Sequence, residues 1–217
     1  MIHPIQRLIV PPLLRLMWLK EVRGIENIPK DGRFIVTPNH QSYLDDWIPP
    51  SLIVPYLDKE LHMYVNSSYF KNPLSRLYLW NHKAIPVEIY GGKDRKKINE
   101  KAFKKALSYI KKGEPICIYP EGGRTKDGKL QKAKTGAARL ALTAKVPILP
   151  VGIVGTRKVW PKGKAFPRIK RIVKVNIGTP LYFNKYYRKQ NNKNALSNAT
   201  RTIMEEIAKL IGKEYKY

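Results

Sequence analysis

Short apolar runs separated by longer amphipathic stretches set the rhythm of the chain. Residues 33–37 (RFIVT), 84–87, 116–119, 148–153 and 173–177 are runs of four to six residues rich in branched side chains, as in strands buried on both faces. Between them, residues 43–57, 97–112 and 135–145 carry helical periodicity. The alternation predicts an α/β fold, with a central, mostly parallel or mixed sheet covered by helices. Segments 27–32 (NIPKDG) and 126–129 (KDGK) are turn chemistry. Near the C-terminus, Leu196, Ile203, Ile207, Leu210 and Ile211 recur at helical spacing, which predicts a helix over 194–211 folded back on the sheet. Residues 185–194 form a polar, basic loop, and no internal repeat is visible.

The N-terminal pattern differs. Residues 2–19 are strongly apolar but are interrupted by Arg7, Arg15 and the pair Pro11-Pro12. A spanning helix needs about 20 apolar residues without such breaks, so none is predicted. No small-residue cleavage site follows the run, so no signal peptide is predicted either. Two short amphipathic turns rimmed by Arg15, Trp18 and Lys20 suit a helix lying in a lipid interface. They equally suit a helix packed on its own domain, and the pattern leaves both open. The expected organisation is an interfacial segment over 1–21 and one domain over 22–217, a length that buries a sizeable core.

Charge narrows the partners. The chain has 42 Lys and Arg against 16 Asp and Glu, a formal net charge of +26, so an anionic partner is expected. Residues 156–217 alone hold 16 basic and 3 acidic residues. An acidic lipid surface fits, each cation near it adding about 1 kcal/mol. Nucleic acid is the rival, since 13 Tyr and 4 Trp would serve stacked bases. No RNP, KH or zinc-finger signature is present, however, and no nucleic acid is expected. Cys117 is the single cysteine, which excludes a disulfide framework and a cysteine-based metal site and suggests a reducing, cytosol-facing compartment. His3, His62 and His82 form no metal pattern, so no metal is expected.

Two stretches carry candidate chemistry, each leaving a predicted strand. The first is PNHQSYLDDW over 38–47. On one continuous helix, His40 and Asp45 would point about 140° apart. They meet only if His40 sits in the loop leaving the strand and Asp45 lies in the first helical turn. Pro38 and a capping Ser42 favour that break. An aspartate bonded to one ring nitrogen fixes the tautomer and raises the basicity of the other, as a general base requires. Asp46 reads as a helix N-terminal charge. The second stretch is YPEGGRT over 119–125. Gly122 and Gly123 permit a tight turn, Arg124 offers a planar fork suited to phosphate, and Thr125 adds a hydroxyl. Glu121 would hold Arg124 or bind a substrate hydroxyl. Cys117, inside the preceding strand, reads as packing.

Together these stretches resemble the glycerolipid acyltransferases, the family of 1-acylglycerol-3-phosphate acyltransferases. Asn39-His40 through Asp45 is similar to that family's NHx4D block, residues 119–125 to its FPEGTRS block, and VPILPVGI over 146–153 to its VPIxPV block. The likeness extends from about residue 22 to about residue 180, through VRGIENIP at 22–29 and KTGAARLA at 134–141. The resemblance implies a single-displacement transfer of an acyl group to the hydroxyl of 1-acylglycerol-3-phosphate, giving phosphatidate, with another lysophospholipid or glycerol-3-phosphate as the alternative acceptor, acyl-CoA or acyl carrier protein as thioester donor and no cofactor. It implies His40 as base and Asp45 as its orienter. By analogy, backbone N–H groups near Gly122 and Gly123 would meet the oxyanion, and Arg124 would hold the acceptor phosphate. Residence on the cytoplasmic face of the cell membrane, peripheral or monotopic, and no obligate protein partner are expected.

One departure stands out. The family's second block places an arginine after its strand in a G-x4-R pattern, whereas this chain has Ala84 and Ile89. Lys83, Lys93 and Arg95 are the nearby cations expected to substitute, with Gly91-Gly92 letting that loop bend inward.

Overall fold

The computed structural model describes residues 8–217. Its centre is one seven-stranded sheet in the order β1-β7-β6-β2-β5-β3-β4. The strands are β1 (Leu19–Arg23), β2 (Ile35–Pro38), β3 (His62–Asn66), β4 (Ile85–Val87), β5 (Ile116–Cys117), β6 (Ile148–Val154) and β7 (Val173–Ile177). β6, β2, β5, β3 and β4 run parallel. β7 is antiparallel to β6 and parallel to β1, so the sheet is mixed.

The central strands β2, β5 and β6 are buried on both faces, whereas β7, expected to be the same, exposes Lys174 and half-buries Asn176 on one face. Phe34 and Val36 join one apolar cluster and Ile35 the other; Cys117 and Ile116 divide the same way, as do Leu149 and Ile148. Successive side chains point to opposite faces, so a doubly covered strand must be apolar throughout. On one face pack α1 (Val10–Met17) and α2 (Ile48–Leu57), through Leu14, Ile48, Leu52 and Ile53. On the other pack α4 (Arg95–Lys111), α5 (Gly136–Ala144) and α7 (Lys193–Leu210), through Ala106, Ile110, Leu140, Ile203 and Ile207. Gly152 of β6 lets α7 come close: a Cβ there would stand 2.6 Å from Leu210 Cβ. α3 (Pro73–Asn81) and the single turn α6 (Thr156–Val159) complete the helices of the described residues.

Several elements differ from expectation. The predicted helix over 43–57 is divided: Leu44–Asp46 forms a 3-10 turn and α2 starts at Ile48, with Pro49 and Pro50 in its first turn, where no N–H is needed for the helix. β1 emerges from the apolar N-terminal run, so the expected boundary between residues 21 and 22 falls inside a strand. Of the expected interfacial segment, residues 1–7 lie outside the described residues; the rest is α1 and the start of β1. β3 and α3 were not predicted at all. No helix among the described residues is long and apolar enough to cross a membrane.

Candidate active site

Every strand of the parallel set ends on the same side, and His40 stands there, two residues past the end of β2. Its place is fixed by a splint. Asn39 donates from its side-chain nitrogen to the Ile153 carbonyl at 3.0 Å and accepts the Ile153 N–H at 2.7 Å, which extends the β2–β6 ladder with a side chain. The chain then wraps a carboxylate. Asp45 Oδ2 accepts the N–H of Gln41 at 2.6 Å and of Ser42 at 2.7 Å, and lies 3.2 Å from His40 Nδ1. A carboxylate only accepts, so Nδ1 carries the proton and Nε2 the lone pair. Ser42 Oγ accepts the Leu44 N–H at 3.0 Å and donates to the Trp160 carbonyl at 2.6 Å, holding the turn that brings Asp45 round. The geometry is the loop-then-turn arrangement that the five-residue spacing demands.

The ring itself is packed. Tyr119 stacks on His40 with centroids 3.9 Å apart and planes 18° apart, and its hydroxyl donates to the Asp45 carbonyl at 2.8 Å. Burial, reinforced by Asp46, pushes the Tyr119 phenol well above its ordinary value, so it stays a neutral donor. Asp46, expected only to face the helix dipole, places Oδ1 3.8 Å from His40 Nε2. That is beyond a hydrogen bond, and it places a second carboxylate beside the open face of the ring. Desolvation raises the Asp46 carboxyl and the His40 and Arg124 charges oppose it; 40% of its side chain meets solvent, which limits the rise.

The turn over 119–125 closes the corner from the other side. Glu121, 6% exposed, accepts the His40 N–H on one oxygen and the Gln131 N–H on the other, each at 2.8 Å. Burial raises its pKa against those bonds. Glu121 therefore holds the backbone of His40 and of Gln131, not the Arg124 side chain, whose guanidinium turns to Tyr43 and Tyr69. The Gly122 N–H donates to the Tyr119 carbonyl and the Thr125 N–H to the His40 carbonyl, both at 3.0 Å, so neither is available to an oxyanion in this arrangement. Thr125 Oγ1 donates to Asp127 at 2.8 Å. Cys117 is fully buried and burial pushes its thiol well up, the behaviour of a packing residue.

Beyond Gly122 and Gly123 the corner opens into a cleft of 560 Å³ lined by Ile89, Tyr90, residues 121–127, Lys129–Gln131 and Lys134, among others. Arg124 stacks over Tyr43 at 4.0 Å and donates to the Tyr69 hydroxyl at 2.8 Å. The cleft stops short of the His40 ring, whose side chain is 8% exposed. A second depression, lined by Gln41, Asp127, Arg157 and Lys213, holds neither His40 nor Asp45. The three expected substitute cations fare unequally. Lys83 precedes β4, at the end of the sheet away from His40, and pairs with Glu60 at 2.7 Å. It is not placed to meet an acceptor at this corner. Lys93 is exposed in the loop after β4, and Arg95 begins α4. Asn39, Tyr119, Gln131 and Lys134 are the site residues that pattern reading gave no role. Asn39 alone carried a signal, as a polar residue that continues a buried strand. Among the described residues no cluster of His, Cys, Asp and Glu is arranged to hold a metal.

Comparison with known proteins agrees with this geometry. A chloroplastic 1-acyl-sn-glycerol-3-phosphate acyltransferase of Brassica napus is 29% identical over 166 residues, 76% of this chain and 46% of its own length. The 1-acyl-sn-glycerol-3-phosphate acyltransferase of Bacillus subtilis (strain 168) is 27% identical over 165 residues, 75% of this chain and 73% of its own. The crystal structure of the 1-acyl-sn-glycerophosphate acyltransferase PlsC from Thermotoga maritima matches with a TM-score of 0.63 and 26% identity, over 90% of this chain and 75% of that one. The chain spans about half the length of the chloroplastic relatives it matches. The model of the Acyltransferase family matches residues 20–154, from β1 to the end of β6 and across both candidate stretches, and the chain belongs to that family.

Proposed function

We propose that the chain transfers a fatty acyl group from an acyl thioester, acyl-CoA or acyl carrier protein, to the free hydroxyl of 1-acylglycerol-3-phosphate, giving phosphatidate. The observation that carries this reading is the His40–Asp45 pair at 3.2 Å, with Nδ1 committed to the carboxylate and Nε2 left as the base. Nε2 takes the hydroxyl proton as that oxygen attacks the thioester carbonyl carbon. Asp45 and Asp46 stabilise the imidazolium that forms. The tetrahedral adduct collapses with cleavage of the C–S bond, and the departing thiolate recovers the proton from His40. Free thiols titrate at about 8.5, so the leaving group needs little help and the step needs no cofactor.

The partner surface in this proposal is an anionic lipid face. α3 has no buried residue, and Leu74, Leu77 and Trp80 are exposed. Arg76 lies over the Trp80 ring at 5.2 Å, and residues 67–83 include Lys71, Arg76 and Lys83 with no acid. Leu13 and Leu16 of α1 are also exposed. Apolar side chains rimmed by cations suit shallow insertion beside acidic headgroups. This supports a peripheral or monotopic place on an anionic membrane surface, which the proposal takes to be the cytoplasmic face of the cell membrane.

The chemistry is tested with His40→Ala and Asp45→Asn assayed on lysophosphatidate and acyl-CoA. Each should lose about 10²- to 10⁴-fold in turnover at an unchanged melting temperature, and near wild-type rates in both would end the acyl-transfer reading. The surface is tested with Leu74→Ser/Leu77→Ser in vesicle sedimentation. Binding to phosphatidylglycerol vesicles should fall about tenfold, and undiminished binding would exclude α3 as the lipid face.

A further inference from the structure

The break in the G-x4-R pattern leaves the acceptor's phosphate without its expected partner at position 89. We propose that Lys134 supplies that cation, reaching position 89 from the loop before α5. Three contacts fix its course. The Lys134 N–H donates to the Pro120 carbonyl at 2.9 Å, which anchors the residue to the 119–125 turn. Its stem crosses Gly122: a Cβ on that residue, where φ is +74°, would stand 3.1 Å from Lys134 Cε and 3.3 Å from Cδ. Ile89 Cγ2 lies 3.4 Å from the same point, so the lysine stem and the Ile89 side chain share the floor that the glycine vacates. The ammonium then donates to the Ile89 carbonyl at 3.0 Å. The positive charge therefore stands beside residue 89 although residue 89 is apolar.

The surroundings suit an anion. An ammonium has three donors, and the Ile89 carbonyl uses one. Arg124, Lys126, Lys129 and Lys162 line the same cleft. Its two acids are both engaged: Glu121 with two backbone N–H groups, and Asp127 with the Thr125 hydroxyl and the Lys129 N–H. Burial and the nearby Arg95 charge both lower the Lys134 pKa, the mark of a cation crowded by its surroundings. A phosphate monoester bound there would relieve that crowding and gain charge-assisted bonds. Gly122 adjoins Glu121, whose carboxylate holds the His40 N–H, so Lys134 and His40 are tied to the same turn from its two sides, and the proposal takes the phosphate on Lys134 to belong to the acceptor.

This inference rests on the lysophosphatidate reading above, and the experiment separates the two. Lys134→Met keeps the stem over Gly122 and removes the charge. It should raise KM for lysophosphatidate at least about tenfold with kcat within about threefold, and leave KM for neutral monoacylglycerol unchanged. Adding Ile89→Arg to that variant should restore KM. A KM within twofold of wild type, or an equal rise for both acceptors, would overturn the proposal. Reductive methylation of the wild-type protein, read at Lys134 by mass spectrometry, gives a measurement independent of variant folding and of turnover. Lysophosphatidate should protect Lys134 and monoacylglycerol should not; equal labelling with and without lysophosphatidate would overturn the proposal. A wild-type protein that acylates no lysophospholipid ends the wider reading. One that acylates lysophosphatidate, with Lys134→Met unaffected, ends only the role of Lys134.

Discussion

Glu121 and Arg124 stand three residues apart in one motif and live in opposite surroundings. Glu121 is buried, with both oxygens bound to backbone N–H groups from chain segments on either side of it. Arg124 lies in the open cleft, its guanidinium over Tyr43 and one N–H on the Tyr69 hydroxyl. The His40 corner is thus knitted shut by backbone bonds, while the cleft beside it, the proposed phosphate side, is lined by the side chains of Arg124, Lys126, Lys129, Lys134 and Lys162. A base must be oriented before substrate arrives, and preorganisation requires buried, fully bonded groups. A phosphate can be gathered by several partly redundant cations, which need not be rigid. The motif that reads as one unit in sequence therefore splits into a buried part that holds the His40 backbone and a part open to the cleft, where the proposed acceptor would be met.

Exchanging one residue on each side should give opposite signatures. Glu121→Gln puts an amide where two N–H groups need acceptors, and its own NH2 can accept neither. One buried N–H then loses its partner, which costs about 1–3 kcal/mol and lowers the melting temperature by about 3–10 °C. With the His40 backbone released, turnover should fall about 100-fold. Arg124→Lys keeps a charge but loses the fork and the stack over Tyr43, worth about 0.5–1 kcal/mol at an exposed site. Its melting temperature should move by no more than about 2 °C, while acceptor KM rises about tenfold and kcat holds. Calorimetry and steady-state kinetics on the pair decide it. If Glu121→Gln melts and turns over like the wild type, the buried half of the comparison is broken.

The two halves were not equally legible. Strands buried on both faces announced themselves, because short runs such as Phe34-Ile35-Val36, rich in branched and aromatic side chains and preceded by turn residues, favour a doubly covered strand. The His40–Asp45 meeting was legible too, since the spacing left a single geometry in which the side chains face each other. What escaped depends on partners far along the chain. Asn39 finds its role 114 residues away at Ile153, and Glu121 finds its role 81 residues away at His40. Lys134, which opens the family-like stretch over 134–141, has no local pattern that gives it a role; the fold lays its stem over Gly122. β3 was missed because HMYVN is short and polar at both ends. α3 did carry a local signal: Asn72 accepts the N–H groups of Leu74 and Ser75 and Pro73 follows it, a helix start written in sequence.

The far end of the sheet holds a second buried histidine, and it tests whether burial alone explains the His40 corner. His62 opens β3, is fully buried, lies 2.8 Å from the Glu114 carboxylate and stacks on Tyr109 at 3.6 Å. Glu60, Lys83 and Tyr109 are the other titratable groups facing this end. Burial lowers the His62 pKa below its ordinary 6.5, against the opposing pull of Glu114 and Glu60. The folded protein then binds the proton less readily than the unfolded chain, so stability falls as the pH drops below about 6.5. Between pH 7.5 and 5.5 the loss from this residue is at most about 1.4 kcal/mol. His62→Gln, which keeps a donor toward Glu114 and does not titrate, should show that much less acid destabilisation in thermal melts. Its pH profile of acyl transfer should match the wild type, because His62 stands at the N-terminal ends of the strands and His40 at their C-terminal ends. Parallel stability curves for the two proteins would show that His62 titrates alike in both states. An altered activity profile would show that the two ends of the sheet are not as separate as their geometry makes them.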